Sequence, residues 1–351
     1  MGQDLFGHGQ GHRAPRLSAP TPHSSSTVNS SSSPALPDRD QSSTFLRIAF
    51  VCLGIHAVLS AFSAFAFTTF LSPPLPAWLL TPENMKVYAI GYAWGGQTTV
   101  VIGALAGVFH AMGRLGTRTA LTIFGVSFGV SLGAELLGTA TGLPFGVYSY
   151  TSLLGYKILD LVPFNIPTSW FYMLYASIAI CGRLLPAKDD GASRWYWALM
   201  AGLVLTAWDV SMDPAMVKTQ HWVWDIPDLS SASALSQFIG REMFYGMPLT
   251  NWLGWLVTGI IVARLMLAIV PPSAWARQVS SSRFPLVLYA VNGLLPIAIC
   301  FRQNMPWAGV LGFLAMAIPV ALAIRAGSPV PADSRPTRET VGLGDVAMAG
   351  D

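Results

Sequence analysis

Long apolar runs are the feature of this sequence that most limits the folds open to it. Between residues 46 and 325 there are eight runs, each close to the roughly 20 residues that an α-helix needs to cross a bilayer. They cover residues 46–71, 87–112, 119–138, 168–185, 195–213, 252–270, 285–302 and 307–325. An α-helix satisfies its backbone hydrogen bonds within one segment, which lipid requires. The sequence therefore predicts an all-α, polytopic transmembrane helix bundle with about eight membrane-spanning helices.

The composition supports a membrane location and excludes several other classes of protein. Hydrophobic residues make up 52% of the chain and charged residues only 11%, whereas soluble domains carry about a quarter charged residues. The formal charge is +3 without a basic stripe, so nucleic acid is not an expected partner. Cys52, Cys181 and Cys300 lie far apart inside apolar runs, where they are expected to act as small apolar side chains.

Two polar segments flank the apolar region. Residues 1–43 are rich in Ser and Pro, and residues 327–351 are again polar. Such segments bury too little apolar surface to offset the entropy lost on ordering. We therefore predict a disordered Ser/Pro-rich tail at 1–43, a membrane-embedded helical domain at 44–326 and a disordered C-terminal tail at 327–351.

Positive residues are shared unevenly between the predicted loops. The even-numbered loops and the C-terminal tail contain most of them: Arg114, Arg118, Arg183, Lys188, Arg194, Arg277, Arg283, Arg325, Arg335 and Arg338. Loops rich in Lys and Arg stay on the cytoplasmic side. Eight spans also place both termini on one side. We therefore expect a multi-pass protein of the cell (inner) membrane with both termini in the cytoplasm.

Three acidic residues lie inside the predicted spans, where charged groups are costly and usually functional. Glu135 follows the third span's apolar centre, and Asp209 and Asp213 end the fifth span. Their spacing of four residues puts the two aspartates on one helix face. The predicted topology places all three carboxyl groups at the same end of the bundle. They are therefore the candidate catalytic residues.

Two long aromatic loops belong to that same end. They contain GTATGLPFGVYSY at 138–150 and HWVWD at 221–225, and Asn251 opens the sixth span nearby. Irregular backbone at membrane depth is tolerated where it is buried in protein or lines a cavity. The pattern predicts a cavity with carboxyl groups and aromatic walls. An interfacial belt of Trp and Tyr is the simpler alternative for any one of these aromatic residues.

Such a cavity suits proton chemistry on an apolar substrate. Burial and a neighbouring carboxyl group both favour the protonated acid, which can then donate its proton. Aromatic faces stabilise a cation without attacking it. The ingredients fit protonation of an unactivated alkene followed by capture of a carbocation. An ion-coupled transporter would use the same ingredients, so composition alone leaves both open.

Several linked motifs resemble one known family. They are GAELLGTATGLPFGVYSYTSLLGYKI with VPFNIPTSWFYMLYAS, then AWDVSMDPAMV, WVWD and YGMPLTNWLGW, in this order. Together they resemble the carotenoid biosynthesis family of membrane hydratases, of the carotenoid 1,2-hydratase and bisanhydrobacterioruberin hydratase type. The resemblance covers roughly residues 85–325 and leaves out both tails.

The resemblance implies a hydro-lyase that adds water to the terminal C1–C2 double bond of an acyclic carotenoid. The expected partners are the bilayer, the carotenoid and water, with no cofactor and no metal; association with other carotenoid biosynthesis enzymes is an open expectation. We expect Asp209 or Asp213 to be the acid and Glu135 its partner or the base. The residues expected to bind the substrate or position water are Trp170, Trp222, Trp224, Asp225, Tyr148, Tyr150, Asn251 and His221.

Alternatives from other classes remain open on the sequence. A proton-coupled lipid or isoprenoid transporter would leave its substrate unchanged. An isoprenoid cyclase or a vinyl ether hydrolase would also begin by protonating a double bond. His56 is expected to bond a neighbouring helix, and His110, at the end of the second span, is expected at the interface. Scattered histidines of this kind do not make a metal site.

Overall fold

The computed structural model describes residues 39–70 and 74–329. These residues belong to one compact unit. The two predicted tails therefore lie outside the described residues, apart from 39–43 and 327–329. Residues 39–43 belong to the first helix, which begins at Arg39.

The fold is an all-α membrane bundle, as predicted. Its long helices are α1 (Arg39–Phe70), α2 (Pro82–Leu115), α3 (Thr117–Thr141), α4 (Asn165–Leu184), α5 (Gly191–Lys218), α7 (Leu249–Ile269) and α11 (Pro306–Ala326), and its shorter ones α6 (Ala234–Gly240), α8 (Pro272–Ala274), α9 (Phe284–Val291) and α10 (Leu294–Arg302). Single turns of 3₁₀-helix cover Ala77–Leu80 and Ser152–Leu154, and a π-helical turn covers Trp275–Val279.

Each of the eight predicted segments coincides with a helix, but the count of eight spans is not confirmed. Among the described residues, six helices are long and apolar enough to cross a membrane: α1, α2, α3, α7, the pair α9–α10 over Phe284–Arg302, and α11. The pair α9–α10 is interrupted at Asn292–Gly293. Helix α11 continues through Pro319. Helices α4 and α5 are not among the six.

Helix α4 is the centre of the bundle, which explains its lower hydropathy. Every residue from Pro167 to Gly182 is buried, and the helix contacts α2, α3, α5, α7, α9 and α11. A helix that is covered on all sides meets neighbouring helices rather than lipid. Its hydroxyl and amide side chains can therefore be satisfied inside the protein. This polar centre positions the candidate site.

The loops at one end of the bundle contain short strands that the sequence interpretation treated as irregular. Strand β1 (Tyr148–Tyr150) pairs with β4 (Trp222–Trp224), β2 (Lys157–Ile158) with β3 (Val162–Pro163), and β5 (Glu242–Phe244) with β6 (Met247–Pro248). All three pairs are antiparallel. The β1–β4 pair joins the loop after α3 to the loop after α5. It thereby brings together the two segments that follow the acidic residues.

Candidate functional site

A large cavity lies at the end of the bundle that holds the acidic residues. Its empty volume, with the open mouth included, is about 1320 Å³. Helices α1, α2, α3, α4, α5, α7 and the region of the α9–α10 break contribute to its wall, together with β1 and β4. The wall is mostly apolar and aromatic, with two carboxyl groups, those of Glu135 and Asp213.

Glu135 is held by three donors. It lies near the C-terminal end of α3 and is only 3% exposed. Its Oε2 accepts hydrogen bonds from the hydroxyl of Tyr148 and, at 2.8 Å, from that of Tyr150. Its Oε1 accepts one from the indole Nε1 of Trp170 at 3.1 Å. Three fixed donors place this side chain as a hydrogen-bond acceptor at the cavity wall.

The two aspartates share one donor, the Asn251 amide of α7. Its Nδ2 lies 3.0 Å from Oδ2 of Asp209 and also donates to Oδ2 of Asp213. Asp213 accepts a further hydrogen bond from Trp222. Asp213 lines the cavity, whereas Asp209 does not. Among the described residues, Oδ1 of the fully buried Asp209 has no donor.

The β1–β4 pair forms an aromatic wall, because every second side chain of each strand is aromatic and points into the cavity. Tyr148 stands opposite Trp224, and Tyr150 opposite Trp222. These four rings are buried and line the cavity, while the residues between them point outward. Their neighbouring centroids are 4.9 Å apart for Tyr148 and Trp224 and 5.8 Å for Tyr150 and Trp222.

The same alternation corrects the prediction for Asp225. Successive side chains of a strand point to opposite faces. Trp224 points into the cavity, so Asp225, the next residue, points outward. It is exposed and forms no part of the cavity wall. Its backbone N–H donates to the carbonyl of Val147 at 2.8 Å. Asp225 therefore holds the loop and does not position water in the cavity.

Trp170 also has a different place from the one predicted. It is fully buried behind the cavity wall, where its N–H holds Glu135. Its ring stacks on that of Trp255, with centroids 4.4 Å apart. Trp255 and Trp208 line the cavity instead. Their positions beside Asn251 and Asp209 in the motifs were the available signal, and the sequence interpretation missed it.

His221, Tyr148 and Tyr150 line the cavity, and their surroundings favour the neutral form of each side chain. Burial lowers the pKa of His221 to about 4. Burial, and next the charge of Glu135, raise the pKa of Tyr148 and of Tyr150 well above the ordinary value. The charge of Asp213 also raises the pKa of Tyr148, which places this hydroxyl within the field of both acids. Both tyrosines therefore remain hydrogen-bond donors at neutral pH.

We expect His221 to make the protein less stable in acid. Its pKa is about 4 in the folded state and about 6.5 in the unfolded chain. Between these values the unfolded chain binds more protons, so the free energy of unfolding falls as the pH falls from 6.5 to 4, by roughly 3 kcal/mol. Unfolding of the purified protein at pH 7 and pH 4, beside His221→Gln, measures this. Equal pH dependence in the two proteins would refute it.

The other two histidines of the described residues, His56 and His110, bond to neighbouring segments. His56 bonds two neighbouring segments, as predicted: its Nδ1 lies 2.8 Å from the carbonyl of Thr99 and its Nε2 lies 3.1 Å from Nδ2 of Asn292. His110 is fully buried rather than interfacial, bonded to the hydroxyl of Tyr175 at 2.7 Å. Within residues 39–70 and 74–329, no group of three His, Cys, Asp or Glu side chains is arranged to hold a metal ion.

A second part of the cavity wall was missed by the sequence interpretation. It comes from α1, α2, the start of α4 and the α9–α10 break, through Ser60, Ser63, Phe67, Tyr92, Gly96, Gln97, Asn165, Asn292 and Pro296. Asn165 lies in the motif VPFNIPTSWFYMLYAS, but the other residues of this set stand out neither by charge nor by motif. Only the fold brings them to one cavity.

Comparison with known proteins identifies the family. A family model described as "Carotenoid biosynthesis protein" matches residues 95–319, which is well over half of the chain and includes Glu135, Asp209, Asp213 and the strands β1 and β4. The chain belongs to this family. It is also 27% identical, over 161 residues, to the bisanhydrobacterioruberin hydratase of Haloarcula japonica, a match that covers 46% of this chain and 48% of that protein. The chain thus spans about half the length of this curated relative. No solved structure matches.

Proposed function

We propose that this member of the carotenoid biosynthesis family is a hydro-lyase that adds water to the terminal C1–C2 double bond of an acyclic carotenoid. The observation that carries the proposal is the pairing of Glu135 and Asp213 in one aromatic cavity inside a membrane bundle. The hydratase named among its relatives supports the same reaction class. A carotenoid dissolves in the bilayer, and water is available at the bundle end.

Asp213 is assigned as the acid. It lines the cavity and is the member of the aspartate pair that can touch the substrate. Its proton moves to C2 of the double bond, whose electron pair forms the new C–H bond. The positive charge develops at C1, where two methyl groups stabilise it. Asp209 has no contact with the cavity and is assigned a supporting role through Asn251, which donates to both aspartates.

Glu135 is assigned as the base. Three donors hold its two oxygens as hydrogen-bond acceptors at the cavity wall, a position from which a carboxyl group can receive a proton from water. Water attacks C1, and Glu135 accepts the proton that this water loses. The product is a tertiary alcohol. A proton then returns from Glu135 to Asp213 through water in the cavity, which restores both groups without a cofactor.

The aromatic wall is assigned to cation stabilisation. Trp208, Trp222, Trp224 and Trp255 line the cavity, and an aromatic face attracts a cation without donating a bond to it. Desolvated contacts of this kind are worth about 2 kcal/mol or more each. They act only once the charge has formed, which is the condition for an effect on rate.

The proposal also includes the membrane that the chain crosses and its orientation in that membrane. We assign the bundle at 44–326 to the cell membrane, with both tails on the cytoplasmic side, on the ground of the arginine-rich loops. The site then lies at the outer end of the bundle. Association with other carotenoid biosynthesis enzymes would deliver substrates through the bilayer.

Mass spectrometry of pigments from a lycopene-producing bacterium that expresses this chain tests the proposal. We expect a gain of about 18 Da for each hydrated end, and incorporation of the heavy isotope from H₂¹⁸O. A strain with the empty vector is the control. An unchanged mass with an altered retention time would indicate a cyclase, and an unchanged pigment beside a membrane-inserted protein would contradict carotenoid hydration.

A further inference from the structure

The cavity reaches the surface of α2 at Gly96. This glycine is both exposed and part of the cavity wall. A Cβ atom added there would meet nothing within 4 Å. Helix α2 is one of the helices that can cross the membrane, and Gly96 lies well inside its range of Pro82–Leu115. The opening therefore faces the lipid rather than bulk water.

A row of flat side chains leads from this opening toward the carboxyl groups. Tyr92, one turn before Gly96, stacks on Phe67 of α1 with centroids 5.9 Å apart and an interplanar angle of 22°. The ring of Phe67 lies 6.3 Å from that of His221. His221 is followed by Trp222, which bonds to Asp213. All four rings line the same cavity.

We propose that the cavity opens into the lipid beside Gly96, and that the conjugated chain of the substrate lies in this opening while its end group reaches Glu135 and Asp213. This inference rests on the proposed function for the identity of the substrate. The ligand class follows from the shape and the lining. A rod with one reacting end can leave most of its length in lipid, and the flat rings of Phe67 and Tyr92 match a flat polyene.

The opening can be closed without disturbing the carboxyl groups. In Gly96→Trp the added Cβ atom meets nothing within 4 Å, and none of the hydrogen bonds that hold Glu135 and Asp213 involves Gly96. Gly91→Trp is the matched control, because Gly91 lies on the same helix, is also exposed, has open space around its Cβ position and is not part of the cavity wall.

Two readouts separate access from chemistry. The first is the amount of carotenoid that remains bound to each protein after purification from pigmented cells. The second is hydration of the full-length carotenoid compared with hydration of a short isoprenoid that has the same terminal double bond. We expect Gly96→Trp to lose at least about tenfold in bound pigment and in carotenoid hydration. Its hydration of the short substrate should fall much less than its hydration of the carotenoid, and Gly91→Trp should match the wild type in both readouts.

Each outcome decides the question. If Gly96→Trp binds pigment and hydrates carotenoid normally, the proposal that the substrate enters beside Gly96 is wrong. Equal losses in Gly91→Trp would show a general effect of the bulky residue and would also overturn it. If the wild type retains pigment without hydrating either substrate, and Gly96→Trp alone loses the pigment, the proposed reaction fails and the opening stands. If the wild type neither retains nor hydrates the carotenoid, both proposals fail.

Discussion

Asp213→Asn is expected to abolish carotenoid hydration. The asparagine amide has nearly the same shape as the acid and still offers an oxygen to Asn251 and Trp222, but it has no proton to give to the double bond. General acid catalysis contributes about 10²–10⁴-fold, and an unactivated alkene has no other route to the cation. We therefore expect a loss in this range or beyond it, measured as hydrated carotenoid per amount of membrane-inserted protein.

Asp209→Asn is the matched comparison for that result. Asp209 is one turn away on the same helix, shares the donor Asn251 and is fully buried, but it does not line the cavity. We expect it to retain far more activity than Asp213→Asn. Equal losses would show that the two aspartates act as one unit. Full activity in Asp213→Asn would remove Asp213 from the mechanism and leave Glu135 as the acid.

The helices were predictable because the bilayer imposes a simple rule on sequence. Any segment that meets lipid needs about 20 apolar residues, so α1, α2, α3, α7 and α11 are visible as runs. What the runs do not reveal is which helix is central. Helix α4 was predicted as one more span, yet it is buried by contacts with six helices, and those contacts depend on three-dimensional packing.

The sequence predicted which carboxyl groups lie at this end of the bundle, but not which of them face the cavity. Topology alone places Glu135, Asp209 and Asp213 at one end of the bundle, and they do meet there. Which aspartate faces the cavity depends on the rotation of α5, which a spacing of four residues does not fix. The outward turn of Asp225 required recognition of β4, a strand too short to show an alternating pattern.

For the tryptophans, too, the sequence did not show which side chains face the cavity. The motifs drew attention to Trp170, which holds Glu135 from behind the wall, while Trp208 and Trp255 occupy the wall itself. An aromatic residue in a membrane helix can face lipid, a neighbour or a cavity with the same local sequence. The opening at Gly96 was invisible for a related reason, since a glycine becomes informative only when its surroundings are known.

Glu135→Gln is expected to separate the two steps of the reaction. Glutamine cannot accept a proton from the attacking water, so hydration should fall by about 10²–10⁴-fold. Asp213 is intact, and the cation can still form and return to alkene by losing a proton. In D₂O the recovered substrate should therefore gain deuterium at its end group, although little alcohol forms. Asp213→Asn should show neither deuterium nor alcohol.

A folding defect must be distinguished from the loss of the base. The glutamine NH₂ group would face one of the present donors, either the Trp170 indole or the two tyrosine hydroxyls, and an unsatisfied buried donor costs about 1–3 kcal/mol. Tyr150→Phe is the control, because it removes one of these hydrogen bonds and keeps the carboxyl group. We expect it to hydrate carotenoid with a much smaller loss than Glu135→Gln.

The deuterium pattern then assigns the two acids. Suppose that Glu135→Gln gives deuterium without alcohol and that Asp213→Asn gives neither. Protonation of the double bond would then precede the attack of water and would not require Glu135. The reverse pattern would exchange the roles of the two residues, with Glu135 as donor and Asp213 as acceptor. Normal hydration by a folded Glu135→Gln would contradict a base at this position, and the three donors around Glu135 would then serve only to hold α3, β1 and α4 together.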